Sequence, residues 1–364
     1  MIFTKEDEKL MGIYDGQRYQ GTEKVPGFED LIQNAYERHE SLRDINIDDS
    51  FNAPLGVIYD PSTGDVSLKY AHPYLKDGSK EQKGYHVCDA TEYAYKQTCN
   101  LLGIPSDYLD SLYSRGLTTL AADTVRSLSQ DSRRRGRFDG QRILRFGDRV
   151  EAVVSKKYDN NFPTCNMLEI LKDTVNLEKY VPNQAFISNS RFHIRMVDFE
   201  TPEYVNGDKV SVGFTVDNSD IGKSALRVQF FIYRFACMNG IVKVAKGGTL
   251  YKQVHLGRAF DSDAIGAFKA AFDDIETLRS TSIKQIADSQ SRMMSYTEMR
   301  AILENKSYGL RNEDIDNIID IATKQYSPTK WGLINGITEN AKIYSLTDRI
   351  SQEVVAGQIL AKAM

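Results

Sequence analysis

Nine arginines and lysines lie within residues 133–157, a stretch of 25 residues that holds only three acids. Phe138 and Phe146 lie among these cations, and Tyr158 follows them directly. Cations neutralise phosphates and aromatic rings stack on unpaired bases, so this combination is typical of single-stranded nucleic-acid binding. Arginine predominates here, and its planar guanidinium both grips phosphate and stacks on bases. The stretch therefore predicts a polyanion-binding surface.

Two predicted strands could extend this surface. Residues 184–200 alternate as one long strand, which would place Arg191, His193 and Arg195 on one face. Arg227 lies on the mixed face of a central strand over residues 225–238, whose other face is apolar. The predicted nucleic-acid-binding residues are Arg133, Arg134, Arg135, Arg137, Phe138, Arg142, Arg145, Phe146, Arg149, Lys156, Lys157, Tyr158, Arg191, His193, Arg195 and Arg227.

The same basic stretch can also be a solvated loop that pairs with acids elsewhere. Residues 1–60 hold thirteen acidic and six basic residues, whereas the whole chain has a formal net charge of −4. An acidic surface is therefore available in this chain or in a second copy. This leaves a second function open, an interaction protein that binds a host or virion partner through its acidic N-terminal region and its helical C-terminal region.

A third function, a Mg²⁺-dependent nuclease, would use acidic residues that flank the predicted sheet. They are Asp198, Glu200, Asp208, Asp217 and Asp220. No catalytic residue, metal ligand or cofactor is predicted, because the sequence has no nucleophile elbow, no Cys-His motif and no paired metal-ligand motif.

Residues 222–224, Gly-Lys-Ser, match only the end of a phosphate-binding loop. That loop requires a further glycine where Asp217 stands, and a helix must follow it so that amides and the helix dipole face the phosphates. A strand is predicted to follow here. Residues 222–224 are therefore predicted to form a turn between two strands.

Composition indicates a soluble globular protein. The chain has 364 residues, of which 26% are charged and 41% hydrophobic. No apolar run approaches the about 18 residues of a membrane span, and the first residues lack a signal-peptide pattern. Four scattered cysteines suit a reducing compartment. We therefore expect a cytoplasmic protein with no membrane partner.

The periodicity predicts an α+β fold, with short N-terminal helices, a central mostly antiparallel sheet followed by a long helix over 261–294, and a C-terminal helical tail. Residues 133–140 are predicted to be a loop and 142–158 two strands. On the central strand, Leu226, Val228, Phe230 and Ile232 share the core face. The predicted domains are an acidic, loosely organised region with a hairpin (1–85), a small helical subdomain (86–130), an α+β core (131–295) and a helical region (296–364).

Four segments, taken together and in this order, resemble an uncharacterised family of phage- and plasmid-encoded proteins that is filed as a domain of unknown function. They are residues 103–108, 149–158, 218–226 with 234–240, and 330–339. The resemblance covers about residues 90–340 and implies a mobile-element origin and intracellular action. It supplies no mechanism.

The function that we expect first is therefore a non-enzymatic DNA-binding protein of phage or mobile-element replication or recombination, including single-strand annealing. Its expected partners are nucleic acid, above all single-stranded DNA, and further copies of the same chain. Annealing recombinases share the layout of a small antiparallel sheet followed by a helix, but layout alone does not fix function.

Overall fold

The structure is a computed structural model, and it describes residues 10–15, 28–60, 62–63, 65–72, 84–146, 149–158, 162–188, 190–236, 239–242, 249–256, 262–344 and 346–362. Within these residues the fold is α+β, as predicted, but the strands form two sheets instead of a single central one. No described helix combines the length and the apolar composition that crossing a bilayer requires.

The described strands belong to a sheet of eight strands and a sheet of six strands, which we call the large and the small sheet. In chain order they are β1 (Leu10–Asp15), β2 (Leu42–Asn46), β3 (Leu55–Tyr59), β4 (Val66–His72), β5 (Gly84–Ala90), β6 (Arg142–Phe146), β7 (Arg149–Val154), β8 (Tyr180–Ser188), β9 (Phe192–Asp198), β10 (Glu203–Val205), β11 (Asp208–Asn218), β12 (Leu226–Arg234), β13 (Asn239–Val242) and β14 (Thr249–Gln253).

The described α-helices fall before, between and after these strands. They are α1 (Phe28–Ser41), α2 (Glu92–Leu102), α3 (Ser106–Ser114), α4 (Thr118–Arg134), α5 (Thr164–Thr174), α6 (Ser262–Ala270), α7 (Ile275–Ser291), α8 (Tyr296–Leu303), α9 (Asn312–Lys324), α10 (Lys330–Asn340) and α11 (Leu346–Ala361).

The large sheet is antiparallel throughout its described pairs. Its order is β1-β8-β9-β11-β12, with β13 and β14 paired to different halves of β12 and β10 paired to β11. The small sheet has the order β2-β6-β7-β5-β4-β3, and only β5 and β7 run parallel. The helices α2, α3 and α4 and the strand β6 lie between β5 and β7 in the chain and provide the long crossover that this parallel pair needs. The strands of the basic stretch, β6 and β7, therefore belong to the small sheet, whereas the central strand β12 belongs to the large sheet.

The alternation on the central strand is confirmed. Leu226, Val228, Phe230 and Ile232 on β12 are all fully buried. Side chains of α1, α5 and α6–α11 pack in the same core cluster. A separate core lies between the small sheet and α2–α4.

Two predicted elements are each divided in the structure. The predicted strand over 184–200 is the hairpin of β8 and β9, because the Ser188 hydroxyl accepts hydrogen bonds from the amides of Ser190 and Arg191, at 3.2 and 2.9 Å. Such local bonds from serine favour a turn over a continuous strand. The predicted helix over 261–294 is α6 and α7, divided next to Asp273 and Asp274, a residue type that favours helix starts and turns.

The core of the large sheet includes side chains from both sides of the domain boundary predicted at residues 295 and 296. Phe230 shares its cluster with Ile315 and Leu333. In addition, Trp331 Nε1 on α10 donates to Asp208 Oδ2 on β11 at 2.7 Å. The boundary itself stays a prediction, but the C-terminal helices and the large sheet bury their apolar side chains together.

Candidate functional site

Four arginines cluster at the end of α4, and we call them the α4 arginines. They are Arg133, Arg134, Arg135 and Arg137. Arg133 Nε donates to the Asp49 carbonyl at 2.6 Å, and Arg137 Nη1 donates to the Leu101 carbonyl at 3.3 Å. Arg135 pairs with Asp131, one turn earlier, at 2.9 Å. These side chains attach the end of α4 to the chain around it.

The prediction of a loop over 133–140 is wrong for its first residues, because α4 continues to Arg134. Arginine is a good helix former, and its charge is favourable near the C-terminal end of a helix. Phe138 was expected to stack on bases, but it is 1% exposed and lies in the core of the small sheet. It therefore offers no ring face to a ligand.

The next cations of the basic stretch lie on β6 and are already engaged. Arg142 forms an ion pair with Asp44 and donates from Nη2 to the Tyr158 carbonyl at 2.8 Å. Arg145 Nη1 lies 3.5 Å from the Tyr70 hydroxyl. Both guanidinium groups therefore have interactions within the protein, although each side chain is still partly exposed.

The last part of the basic stretch is more open. Phe146 and Arg149 are half-buried, and Lys156 and Lys157 are exposed. Lys156 Nζ pairs with the exposed carboxylate of Asp139 at 2.7 Å. Surface pairs of this kind contribute little and are screened by salt, so both lysines can still meet a polyanion.

The cations predicted on the strand over residues 184–200 differ in exposure: His193 and Arg195 are buried, and Arg191 is partly exposed. His193 is fully buried, and its Nδ1 lies 2.9 Å from Asp217 Oδ1. Arg191 lies 3.7 Å from the same carboxylate oxygen. Asp217 also faces Arg227 across β11 and β12. Burial alone would raise the pKa of Asp217, but His193, Arg191 and Arg227 hold it below its usual value.

Arg195 cannot form part of an exposed interface. It is 1% exposed, it forms an ion pair with Glu353 on α11, and its guanidinium lies 4.5 Å from the ring centre of Phe231. Arg349 Nε also contacts Glu353, at 3.4 Å. The interpretation of Arg191, His193 and Arg195 as one binding face is therefore wrong for His193 and Arg195, since both are buried and α11 covers Arg195. Arg227 is exposed.

A cavity of about 450 Å³ lies where the two sheets meet. Three cations line it, and we call them the cavity cations: Lys223, Arg227 and Lys252. All three are exposed, and they come from the turn after β11, from β12 and from β14. Arg227 and Lys252 are direct neighbours across β12 and β14. None of the described residues that line the cavity is acidic.

The turn predicted at residues 222–224 lies between β11 and β12, and its shape is constrained. Gly222 has a φ of +74°, and a Cβ at this position would lie 2.9 Å from the ring of Tyr158. The Tyr93 hydroxyl donates to the Gly222 carbonyl at 3.2 Å, and the Tyr158 hydroxyl donates to the Asp220 carbonyl. Two tyrosines from the small-sheet part of the chain therefore hold the turn that carries Lys223.

A buried polar network lies beneath this turn. Asp220 Oδ1 accepts hydrogen bonds from the amide and the hydroxyl of Thr164, both at 2.8 Å, and Asp220 Oδ2 lies 3.7 Å from Arg38 Nε. Asn218 donates to the Thr164 hydroxyl at 3.2 Å, and its Oδ1 lies 2.9 Å from His255 Nε2. Burial lowers the pKa of Arg38, and Asp220 opposes that effect. The network joins α1, α5, the end of β11 with the turn after it, and the residues that follow β14.

The acids proposed for a nuclease do not converge. Asp198 accepts from Arg279 and Thr201, Asp208 pairs with Arg234, and Asp217 and Asp220 have the partners described above. Among the residues that the structure describes, no group of three or more histidines, cysteines and acids could hold a metal ion. Asp198, Asp208, Asp217 and Asp220 instead form separate ion pairs within the protein, and Glu200 is exposed.

Comparisons with known proteins found no match from which a function could be inferred. No protein-family model matches the chain, no curated protein matches it, and no solved structure matches it. The resemblance to phage- and plasmid-encoded proteins therefore stays a prediction.

Sequence reasoning missed Lys223 and Lys252 as site residues. In the sequence, Lys223 belongs only to an incomplete phosphate-binding loop, and Lys252 lies in a short strand with no distinctive pattern. The usable signal was the turn at residues 222–224, which includes Lys223 and returns the chain to the strand that carries Arg227. The pairing of Arg227 with Lys252 has no signal in the sequence, because it depends on strand register.

Proposed function

We propose that this protein binds single-stranded nucleic acid, with the cavity cations at the centre of the binding surface. The observation that carries the proposal is that Lys223, Arg227 and Lys252 line one cavity in which no described lining residue is acidic. Like charges that face each other across two strands destabilise a sheet, as Arg227 and Lys252 do here. A bound polyanion would offset this repulsion and would release counterions on binding.

A single strand fits this surface better than a duplex. Recognition of duplex DNA places a helix or a β-ribbon in the major groove, which is about 12 Å wide. The cavity cations come from a turn and two strands in a concave site between two sheets. Basic grooves with apolar or aromatic walls are typical of single-strand binding. Lys156 and Lys157 are exposed close to Tyr158, which lines the same cavity, and they extend the basic surface.

Binding of a fluorescent oligothymidylate over a salt series tests the proposal. The parent should bind at low salt, with an affinity that falls steeply as salt increases. Changing Lys223, Arg227 and Lys252 together to Gln should reduce the log–log salt slope by about 2, since each phosphate contact contributes about 0.7 on a single strand. Thermal unfolding of the variant checks that it is folded.

A matched control removes the same charge elsewhere. Lys269, Lys284 and Lys306 are exposed and do not line the cavity. Changing these three to Gln should leave the slope within about 0.7 of the parent, less than one phosphate contact. Equal losses in both triple variants would show non-specific attraction, and a parent that binds no nucleic acid at low salt would end the proposal.

The biological setting that we propose follows from the resemblance alone. It is replication or recombination of a phage or another mobile element in the cytoplasm of a host cell, including annealing of complementary strands, by an oligomer of this chain. Sedimentation with and without oligothymidylate, together with an annealing assay on two complementary strands, tests this setting. A monomer that binds but does not accelerate annealing would remove annealing and leave binding intact.

One observation favours the alternative of an interaction protein. Ile58, Tyr85 and Val87 are exposed large apolar side chains, 40%, 39% and 55% exposed, on the outer face of the small sheet. Tyr85 and Val87 are neighbours on one face of β5, and β4 lies between them and Ile58. Groups of exposed apolar side chains are found at protein interfaces. Loss of a protein partner from a triple change to Ser at these positions, with nucleic-acid binding unchanged, would support this function.

A further inference from the structure

The cavity between the sheets has a charged rim and a buried floor. The cavity cations form the rim, whereas Val154, Tyr158 and Ile221 are buried beneath them. A closed floor admits the end of a ligand more readily than a continuous strand, which has to enter and to leave. Its volume of about 450 Å³ falls within the range of sites for small ligands, about 300–1,000 Å³.

One polar group of the cavity lacks a protein partner within the described residues. Ser224 is one of the residues that line the cavity, its hydroxyl oxygen is buried, and no described residue forms a hydrogen bond with that oxygen. Buried hydroxyls are normally hydrogen-bonded, because losing water without a replacement is costly. Its position beside Lys223 suits an anionic oxygen from a ligand.

The cavity also has an apolar wall. Val254 and Leu256 line it, although they are 47% and 56% exposed. Apolar side chains beside a cation cluster suit a ligand that carries a flat or apolar group next to its negative charge. A nucleotide has this chemistry, since its base has a π-face and its phosphate is anionic.

The number of cations indicates which kind of phosphate fits. An internal phosphodiester carries one negative charge, whereas a terminal phosphate monoester carries about −1.5 to −2 at neutral pH and three acceptor oxygens. Three cations and a hydroxyl at one cavity match the terminal group better. Asp217 neutralises part of the Arg227 charge. His193 and Arg191 contact the same carboxylate, so Asp217 does not neutralise Arg227 completely.

We propose that the cavity binds the terminal phosphate of a nucleotide, with the phosphate at Ser224 and the cavity cations and the base against Val254 and Leu256. This inference rests on the proposed function, because the nucleotide is taken to be the end of a bound single strand. A free mononucleotide has the same chemistry and is the second source to be distinguished.

The test compares oligothymidylates that differ only at the 5′ end, as phosphate or hydroxyl, each longer than the about 4–16 nucleotides of a single-strand site. The parent should bind the phosphorylated strand at least about tenfold more tightly, the factor expected for a charge-assisted hydrogen bond. Ser224→Ala and Lys252→Gln should each reduce this preference to below about threefold, since each removes one such contact. The control Lys284→Gln should retain it.

Competition separates the two sources of the phosphate. Displacement of the 5′-phosphorylated strand by another 5′-phosphorylated strand, but not by thymidine monophosphate, assigns the cavity to strand ends. Equally effective displacement by thymidine monophosphate assigns it to free nucleotides. Displacement by inorganic phosphate as strong as by either nucleotide contradicts the contact with Val254 and Leu256.

Different results would contradict the terminal-phosphate site and the single-strand binding on which it rests. Equal affinity of the parent for the phosphate and hydroxyl ends, without competition by thymidine monophosphate, overturns the terminal-phosphate site and leaves single-strand binding intact. Absence of binding to either strand at low salt overturns the proposed function as well.

Discussion

The α4 arginines and the cavity cations are two ways of gathering positive charge. The α4 arginines are contiguous in sequence, yet in the structure Arg133 and Arg137 donate to backbone carbonyls and Arg135 pairs with Asp131. The cavity cations are spread over 30 residues of sequence, yet the large sheet brings them to one cavity. Charge density along the chain is therefore a poor guide to charge density in space.

The supports of the two groups also differ. The turn that carries Lys223 is held by a buried network around Asp220, whereas Asp131, the partner of Arg135, is partly exposed at 45%. Buried polar groups lose much more on losing a partner than exposed ones do. The cavity should therefore be the more easily damaged of the two groups, and the following predictions test this difference.

The largest effect should come from removing the buried carboxylate. Asp220→Ala leaves the Thr164 amide and hydroxyl without their acceptor and takes a carboxylate from beside Arg38. We expect a loss of about 3–5 kcal/mol in the free energy of unfolding, the range for breaking a buried ion pair. Urea denaturation measures it. The matched change Asp131→Ala should cost less than about 1 kcal/mol, and similar losses in both would contradict the comparison.

A smaller effect should come from Asp217, which faces the cavity cation Arg227. A carboxyl whose pKa is lower in the folded state stabilises the fold above its unfolded pKa, and this contribution is lost as the pH falls through the folded pKa. Asp217→Asn should therefore cost about 1.5–3 kcal/mol at neutral pH, and the difference from the parent should shrink below about pH 4.

Urea denaturation of the parent and of Asp217→Asn, from neutral to acid pH, measures this change. Asp263→Asn, at an exposed position in the first turn of α6, is the control and should match the parent at neutral pH. A deficit of Asp217→Asn that stays constant over the whole pH range would show that shape, and not charge, accounts for it.

The smallest effect should come from the exposed α4 arginines. Tyr93 at the start of α2 lines the cavity, and the Leu101 carbonyl near the end of the same helix accepts a hydrogen bond from Arg137. The backbones of Tyr93 and Leu101 are about 12 Å apart along the helix axis, because eight residues rise 1.5 Å each. Arg134→Gln with Arg135→Gln should therefore change the salt slope of single-strand binding by less than about 0.7. A change above about 1.4, two phosphate contacts, would restore the α4 arginines as the main footprint.

Local features of the sequence were enough to predict many of the elements. Alternation identified one core face of β12, because successive side chains of a strand point to opposite faces. It did not show that Gln229, Phe231 and Tyr233 on the other face are buried as well. Helix α2 ends as predicted at Gly103, which has a φ of +75° that glycine adopts without strain. The hairpin of β3 and β4 and the turn at residues 222–224 were also predicted, since turn residues act over a few positions.

The divided elements show where local patterns fail. Over 184–200 the alternation continues across a turn, so a serine side chain decides the break. Over 261–294 the helical period continues across the division between α6 and α7. In both places the apolar spacing is compatible with a longer element, and the packing of the surrounding chain selects two shorter ones.

By itself, the sequence determined the fold class, the core face of the central strand and the local charge of residues 133–157. Only the tertiary structure decided that these residues belong to the small sheet, that α11 covers Arg195 and that Arg227 meets Lys252 beside Lys223. The physical reason is the distance along the chain over which each kind of interaction acts. Propensity, capping and turn chemistry act between residues a few positions apart, whereas sheet register and burial depend on side chains that are far apart in the sequence.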